Sequence, residues 1–277
     1  MTSRFVLTHS NDGVAQARRE IARTKSARVH QSAPKTLVAF SLSDLSPRPT
    51  TQRSAPHVVV GIWSLEAWLA GLGGLIDALN KAQRTFLFYE VDAAMPAGLI
   101  SRPERVAAWF KESSGRKPSK RILETLKDNL VADDFFGLAE KIRRDLTLDY
   151  IIGVTPSMVA GTNGDELFWN HFSTFKDRAL LTSGYQLHEF AHDTGCPLES
   201  FIGRIIVSQL LVAMMWPKLG FHNDTGCLFD YNESRASLKD RVKGLHIEPG
   251  CLKMIKRAYR PAALAFVDLL RSYGVTK

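Results

Sequence analysis

The sequence predicts an α/β layered domain, on three observations. From His57 onward, short β-branched and aromatic runs alternate with segments whose apolar residues recur at helical spacing, as in strands joined by helices. One stretch, LESFIGRIIVSQLLVAMMW at 198–216, is nearly all apolar and reads as a central buried helix. The charge is uneven. Of the formal +8, residues 1–55 hold nine Lys/Arg against three Asp/Glu, a surplus of six that leaves +2 for the rest. Residues 1–55 are therefore expected to be a basic leader, solvated and in part disordered, and residues 56–277 a single domain. With 277 residues, 45% of them hydrophobic, the chain can bury a sizeable core.

Within the leader, Val14 to Thr24 has helical spacing and Thr36 to Leu42 reads as a strand. HVVVGIW (57–63) is the first strong strand. Ser64 is placed to cap SLEAWLAGLGGLIDALNKA (64–82), an apolar-faced helix. GLGG (71–74) lies inside that pattern rather than after a strand, so close helix packing accounts for it better than a phosphate loop. TFLFYEV (85–91) is the next strand. Three helical segments follow: RPERVAAWFKES (102–113), PSKRILETLKDNL (118–130) and DDFFGLAEKIRRDL (133–146). DYIIGVTPSM (149–158), ELFWNHFS (166–173) and RALLTSG (178–184) complete the strands. A terminal helix runs from about Pro249 to Tyr273, kinked at Pro261. Trp63, Trp68, Trp109, Trp169 and Trp216 lie on apolar faces and are expected in the core.

Several classes are disfavoured. The longest apolar run, Phe201 to Trp216, is interrupted by Arg204, Ser208 and Gln209, so no membrane span is expected. No signal-peptide pattern opens the chain. Three cysteines, Cys196, Cys227 and Cys251, do not make a secreted disulfide framework, and a cytoplasmic location is expected. No Ser or Cys nucleophile sits in a recognisable elbow. Asp133 with Asp134, and Asp145 with Asp149, suit helix boundaries and surface charge better than a paired acid and base. The leader could contact nucleic acid through charge, but it lacks the interleaved aromatics of single-strand binders.

YQLHEFAHDTGCPLE (185–199) holds His188, Glu189 and His192 at the spacing of a zinc-peptidase signature. That spacing turns two imidazoles toward one metal and leaves a glutamate to polarise water. The surroundings oppose this reading. Ser183-Gly184 before it and Asp193-Thr194-Gly195 after it are breakers and cappers. The segment is expected to be a loop that carries two histidines. The spacing of three-histidine peptidases puts a third donor at Leu198. A working site would have to draw that donor from His222 or Glu199.

From Asp149 onward the chain resembles the archaemetzincins, metzincin-type zinc peptidases. The resemblance lies in Ile151-Ile152-Gly153-Val154-Thr155, in Leu181 to Leu187 and in the long 198–216 helix. It continues through His222 to Phe229, Leu238-Lys239-Asp240-Arg241 and Pro249-Gly250-Cys251. It implies a metzincin-like layered domain with a mixed sheet, a long buried central helix and a C-terminal helix. It also sets the family's zinc signature, counted back from His222, on Val212, Ala213 and Trp216, none of which binds zinc or activates water. Only His222 survives of the three ligands. VAMMW (212–216) is then expected to fill a core.

The family's structural zinc uses cysteines. Here His222, Cys227, His246 and Cys251 form a His-x4-Cys, His-x4-Cys frame within 218–255, suited to one closed structural zinc or to the remnant of such a site. The resulting expectation is a catalytically degenerate peptidase-fold protein that acts by binding a protein partner. The alternatives are an active zinc metallopeptidase using His188, Glu189 and His192 with His222, and a nucleic-acid-binding component working through residues 1–55.

Overall fold

The computed structural model describes residues 58–274, apart from 67, 97–98, 100–101, 165, 223–225, 232–237 and 239–243. The leader, with its expected helix and strand, lies outside the described residues, as do Lys239, Asp240 and Arg241.

The main sheet has five strands in the order β2-β1-β4-β8-β7. They are β1 (Val58–Ser64), β2 (Phe86–Glu90), β4 (Tyr150–Thr155), β7 (Ser173–Lys176) and β8 (Ala179–Ser183). β2, β1, β4 and β8 run parallel, and β7 closes one edge antiparallel to β8. The sheet is therefore mixed, as expected. The central strands are apolar on both faces because both faces are covered. Val60, Ile62, Ile152, Val154 and Leu180 face one core cluster, whereas Trp63, Ile151, Ala179 and Leu181 face the other. Alternation along each strand makes that division.

The first face packs on three helices: α1 (Leu72–Ala82), α6 (Leu198–Met215) and α8 (Arg260–Ser272). The second packs on α4 (Ala132–Asp145) through Phe135 and Phe136. Gly153 is required there, since a Cβ would sit 2.4 Å from the Phe135 ring. A smaller sheet, β3-β5-β6, joins Asn129–Val131, Met158–Asn163 and Glu166–His171. Under it, α2 (Pro103–Ser114) and α3 (Lys120–Leu126) enclose Val106, Trp109, Phe110 and Leu126.

Helix α6 is the centre of the fold. It is apolar and long enough to cross a membrane, yet 78% of it is buried inside the protein, which makes it a core helix. Its N-cap, Pro197, offers no side-chain hydrogen bond, so packing rather than capping holds it. The three polar residues that interrupt it each have a task. Gln209 accepts a hydrogen bond from Thr182 Oγ1 at 2.8 Å and donates to the Thr174 carbonyl at 2.6 Å, tying the helix to β8 and β7. Ser208 donates to Ile205 within the helix. Arg204 donates to the Cys227 carbonyl at 3.4 Å, which fastens the following turn to the core. Gly203 lets α6 approach its neighbours; a Cβ there would meet Leu270 of α8 at 2.6 Å and Leu75 of α1 at 3.0 Å.

Several expectations need correction. α1 starts at Leu72 rather than Ser64, because β1 runs through Ser64 and its hydroxyl donates to the Glu66 carbonyl instead of capping a helix. The end of the second helical segment, Asn129-Leu130, is in β3, where pairing with β5 overrides helical spacing. The terminal helix is broken before its proline. α7 (Pro249–Met254) ends, a 3-10 turn spans Arg257–Tyr259, and Pro261 stands in the first turn of α8, where it starts a helix rather than kinking one. Trp63 and Trp109 are in the core and Trp68 and Trp169 contact it, but Trp216 is 53% exposed. α6 ends at Met215, and Trp216, held extended before Pro217, rests edge-on against Phe175. Val212 and Met215 do fill the core as expected, with Ala213 at its margin.

Candidate metal centre

The histidine-glutamate segment is helical. α5 (Leu187–Thr194) is the two-turn element that the sequence reads as a loop. The breakers flanking it do not prevent a helix but end one. Gln186 stands before it at φ 61°, and Gly195, also left-handed, closes it with a hydrogen bond to the His192 carbonyl. Leu187 and Phe190 anchor the helix by burial. The histidines are on the other side. The His188 side chain is 72% exposed and that of His192 is 91% exposed. Each ring has an acidic neighbour in sequence, with Glu189 3.9 Å from His188 and Asp193 3.7 Å from His192. Neither proposed third donor converges there. Glu199 lies over Gly71, beside Tyr273, and His222 belongs to another cluster.

That cluster is formed by His222, Cys227 and Cys251, whose ligand atoms all lie within 4.8 Å of one another. It is the one such convergence among the described residues. Backbone pairing builds it from segments far apart in sequence. His222 N donates to the Phe229 carbonyl and Tyr231 N to the His222 carbonyl, so His222 and Asp230 form an isolated bridge. Cys227 bridges to His246, and Leu228 N donates to the His246 carbonyl at 2.7 Å. Pro249 then starts α7, which brings Cys251 in on its first turn. Cys227 and Cys251 are buried among Leu228, Phe229 and Ile255, and His222 is partly open to solvent.

His222 Nε2 is 3.1 Å from Cys251 Sγ. Its other nitrogen, Nδ1, is 3.6 Å from the fully buried Asp230 carboxylate. The Glu248 carboxylate is 3.8 Å from Nε2, and the Glu248 backbone N–H donates to Cys227 Sγ at 3.4 Å. Burial above all, then the charge and hydrogen bond of Cys227 and the nearby carboxylates of Glu248 and Asp230, together raise the Cys251 thiol to about 12. A cation placed among these groups would reverse that effect, because thiolate is the form that binds metal.

His246 does not join the cluster. Its Nδ1 is engaged with the Gly244 carbonyl at 3.0 Å, and its ring packs against Gly226, so the expected two-His, two-Cys frame is reduced to three of its four members. Its backbone, not its side chain, is what the site uses. Cys196 is buried in the main core, apart from the cluster. Glu248 and Asp230 were not anticipated. The signals were an Asp three residues after Cys227 and a Glu three before Cys251, spacings too common to single them out. The donor set suits zinc, with an imidazole nitrogen and two sulfurs on segments that backbone pairing already holds together.

No family model matches the chain, and no curated protein matches it. Among solved structures it is similar to the archaemetzincin of Archaeoglobus fulgidus complexed with malonate (TM-score 0.43, 12% identity, 71% of this chain and 99% of the other). It is also similar to a zinc-dependent peptidase from Methanocorpusculum labreanum (TM-score 0.40, 14% identity, 72% and 100%) and to the archaemetzincin of Methanopyrus kandleri (TM-score 0.36, 14% identity, 71% and 89%).

Proposed function

We propose that this chain is a zinc-stabilised binding protein on a peptidase-like scaffold, without hydrolytic activity. The observation that carries the proposal is the convergence of His222, Cys227 and Cys251 at a mostly buried site, while His188 and His192 face solvent without a third donor among the described residues. The cluster's burial and its two sulfurs suit a closed structural ion, which ties the 222–231 turn to α7 and contributes folding energy. The positions to which the resemblance assigns catalytic ligands support the same reading. Val212 and Ala213 have no donor, and the Trp216 indole cannot replace an imidazole on zinc. The proposed partner is a protein, with the basic leader (net +6) available to contact an acidic surface.

The competing reading is a live peptidase at His188, Glu189 and His192. The helical form of α5 favours it, since positions 188 and 192 are one turn apart. A single experiment separates the two. The full chain, purified with its metal, is incubated with casein and a mixed peptide library, beside the Glu189→Gln variant. The binding-protein reading expects no cleavage from either. Cleavage by the unaltered chain that Glu189→Gln abolishes would establish the peptidase instead.

A further inference from the structure

We infer that Glu248 is the fourth donor of the zinc site and that Asp230 orients His222 toward the ion. This rests on the structural-zinc reading above and deepens it. Three donors leave a tetrahedral zinc one position short, and a mostly buried structural site is closed by a protein group rather than by water. Glu248 stands beside the three converging donors, outside the set whose ligand atoms lie within 4.8 Å of one another, and its carboxylate would swing in on zinc binding. Its carboxylate is 3.8 Å from His222 Nε2, on the side of the ring that also faces Cys251. It holds the N-cap position of α7, where a carboxylate would ordinarily accept from the helix backbone, yet it makes no capping hydrogen bond. Its backbone N–H donates to Cys227 Sγ, so the residue is already registered against a second member of the site.

Asp230 acts one shell out. Its carboxylate is completely buried and lies 3.6 Å from Nδ1, the nitrogen of His222 that points away from Cys251. A carboxylate there favours the tautomer with the proton on Nδ1 and leaves Nε2 free for metal. The assembled shell is one imidazole nitrogen, two thiolates and one carboxylate. The oxygen in this set distinguishes the site from an all-cysteine or two-His, two-Cys centre, and it makes affinity sensitive to replacement at position 248.

The test uses the full chain stripped of metal and titrated with zinc against a chromophoric chelator, then with Co2+ as a spectroscopic probe. Glu248→Ala is expected to weaken zinc binding by at least about tenfold while keeping the cobalt absorption of two thiolates. Glu248→Cys is expected to bind at least as tightly as the unaltered chain, with thiolate-to-cobalt absorption raised in the proportion of three sulfurs to two. Asp230→Asn should weaken zinc by roughly 10–100-fold without altering the thiolate bands. If zinc binds the unaltered chain and both Glu248 variants bind with the same affinity and the same spectrum, the fourth-donor assignment is wrong and the structural zinc stands. If the unaltered chain takes up no zinc, the structural-zinc reading and this assignment fall together.

Discussion

Helix α5 and the His222, Cys227 and Cys251 cluster both carry histidines at spacings that fit a metal, and they differ in how those histidines are surrounded. On α5 the spacing is ideal and the rings are solvated; around Cys251 the spacing is loose, with donors drawn from two segments of the chain. The difference teaches that a ligand pattern along one helix supplies two donors at most. The rest of a site must come from the tertiary structure, and burial must make water a poor competitor. α5 is anchored by Leu187 and Phe190, with Ala191 packed against the same core. The cluster's surroundings are tied to the central helix by Arg204, to α8 by the Arg271 hydrogen bond to the Leu245 carbonyl, and to one another by the His222–Asp230 and Cys227–His246 backbone bridges.

The largest expected effect comes from removing the proposed zinc from the His222, Cys227 and Cys251 cluster. With zinc at about a thousandfold over its Kd, chelation should lower unfolding stability by about 4 kcal/mol. Cys251→Ser should show the lower value with or without zinc. Urea denaturation measures both, and equal stability before and after chelation would erase the contrast between the two regions. Next is the support beneath the cluster. Gly203→Ala forces a methyl against Leu270 and Leu75 and should cost about 1–3 kcal/mol. A neutral result would mean that α6 and α8 are less tightly packed than described.

A smaller effect is expected at Trp216. As a core residue it would cost roughly 3–5 kcal/mol on truncation. Exposed and touching Phe175 at one edge, it should cost under about 1 kcal/mol as Trp216→Ala. A large loss would return it to the core. The smallest effects belong to α5. His188→Ala and Glu189→Gln should each change stability by less than about 0.5 kcal/mol, the range for exposed positions, and leave the bound zinc unchanged.

What could be read from the sequence follows the same division. The parallel strands β1, β2, β4 and β8 and helix α6 were legible because burial leaves apolar runs with little ambiguity, whereas the half-exposed edge strand β7 was not. Even the interruptions Arg204, Ser208 and Gln209 were visible, though not their partners on β7, β8 and the Cys227 loop. Strands β3 and β5 were not legible. Their residues carry weak local preference, and pairing with each other decides their state. The position of Trp216 was hidden because an apolar run does not reveal where a helix ends when a proline two residues past its last turn redirects the chain.

Cysteines and histidines announce themselves by chemistry, which singles out His222, Cys227, His246 and Cys251 in the sequence; the fold brings three of them together, and the His246 ring turns to the Gly244 carbonyl instead. Glu248 and Asp230 escaped notice because carboxylates are common, and only the fold shows which ones lie beside a buried imidazole. The helical state of α5 is hidden in the sequence because Gly195 reads as a breaker there, whereas in the fold it serves as a left-handed C-cap.

The most direct test of where this protein holds metal is X-ray absorption at the zinc K edge on the purified full chain. The account predicts a four-donor shell with two sulfur scatterers at about 2.3 Å, from Cys227 and Cys251, completed by lighter atoms. A shell of nitrogen and oxygen alone would place the ion on His188 and His192 and contradict it.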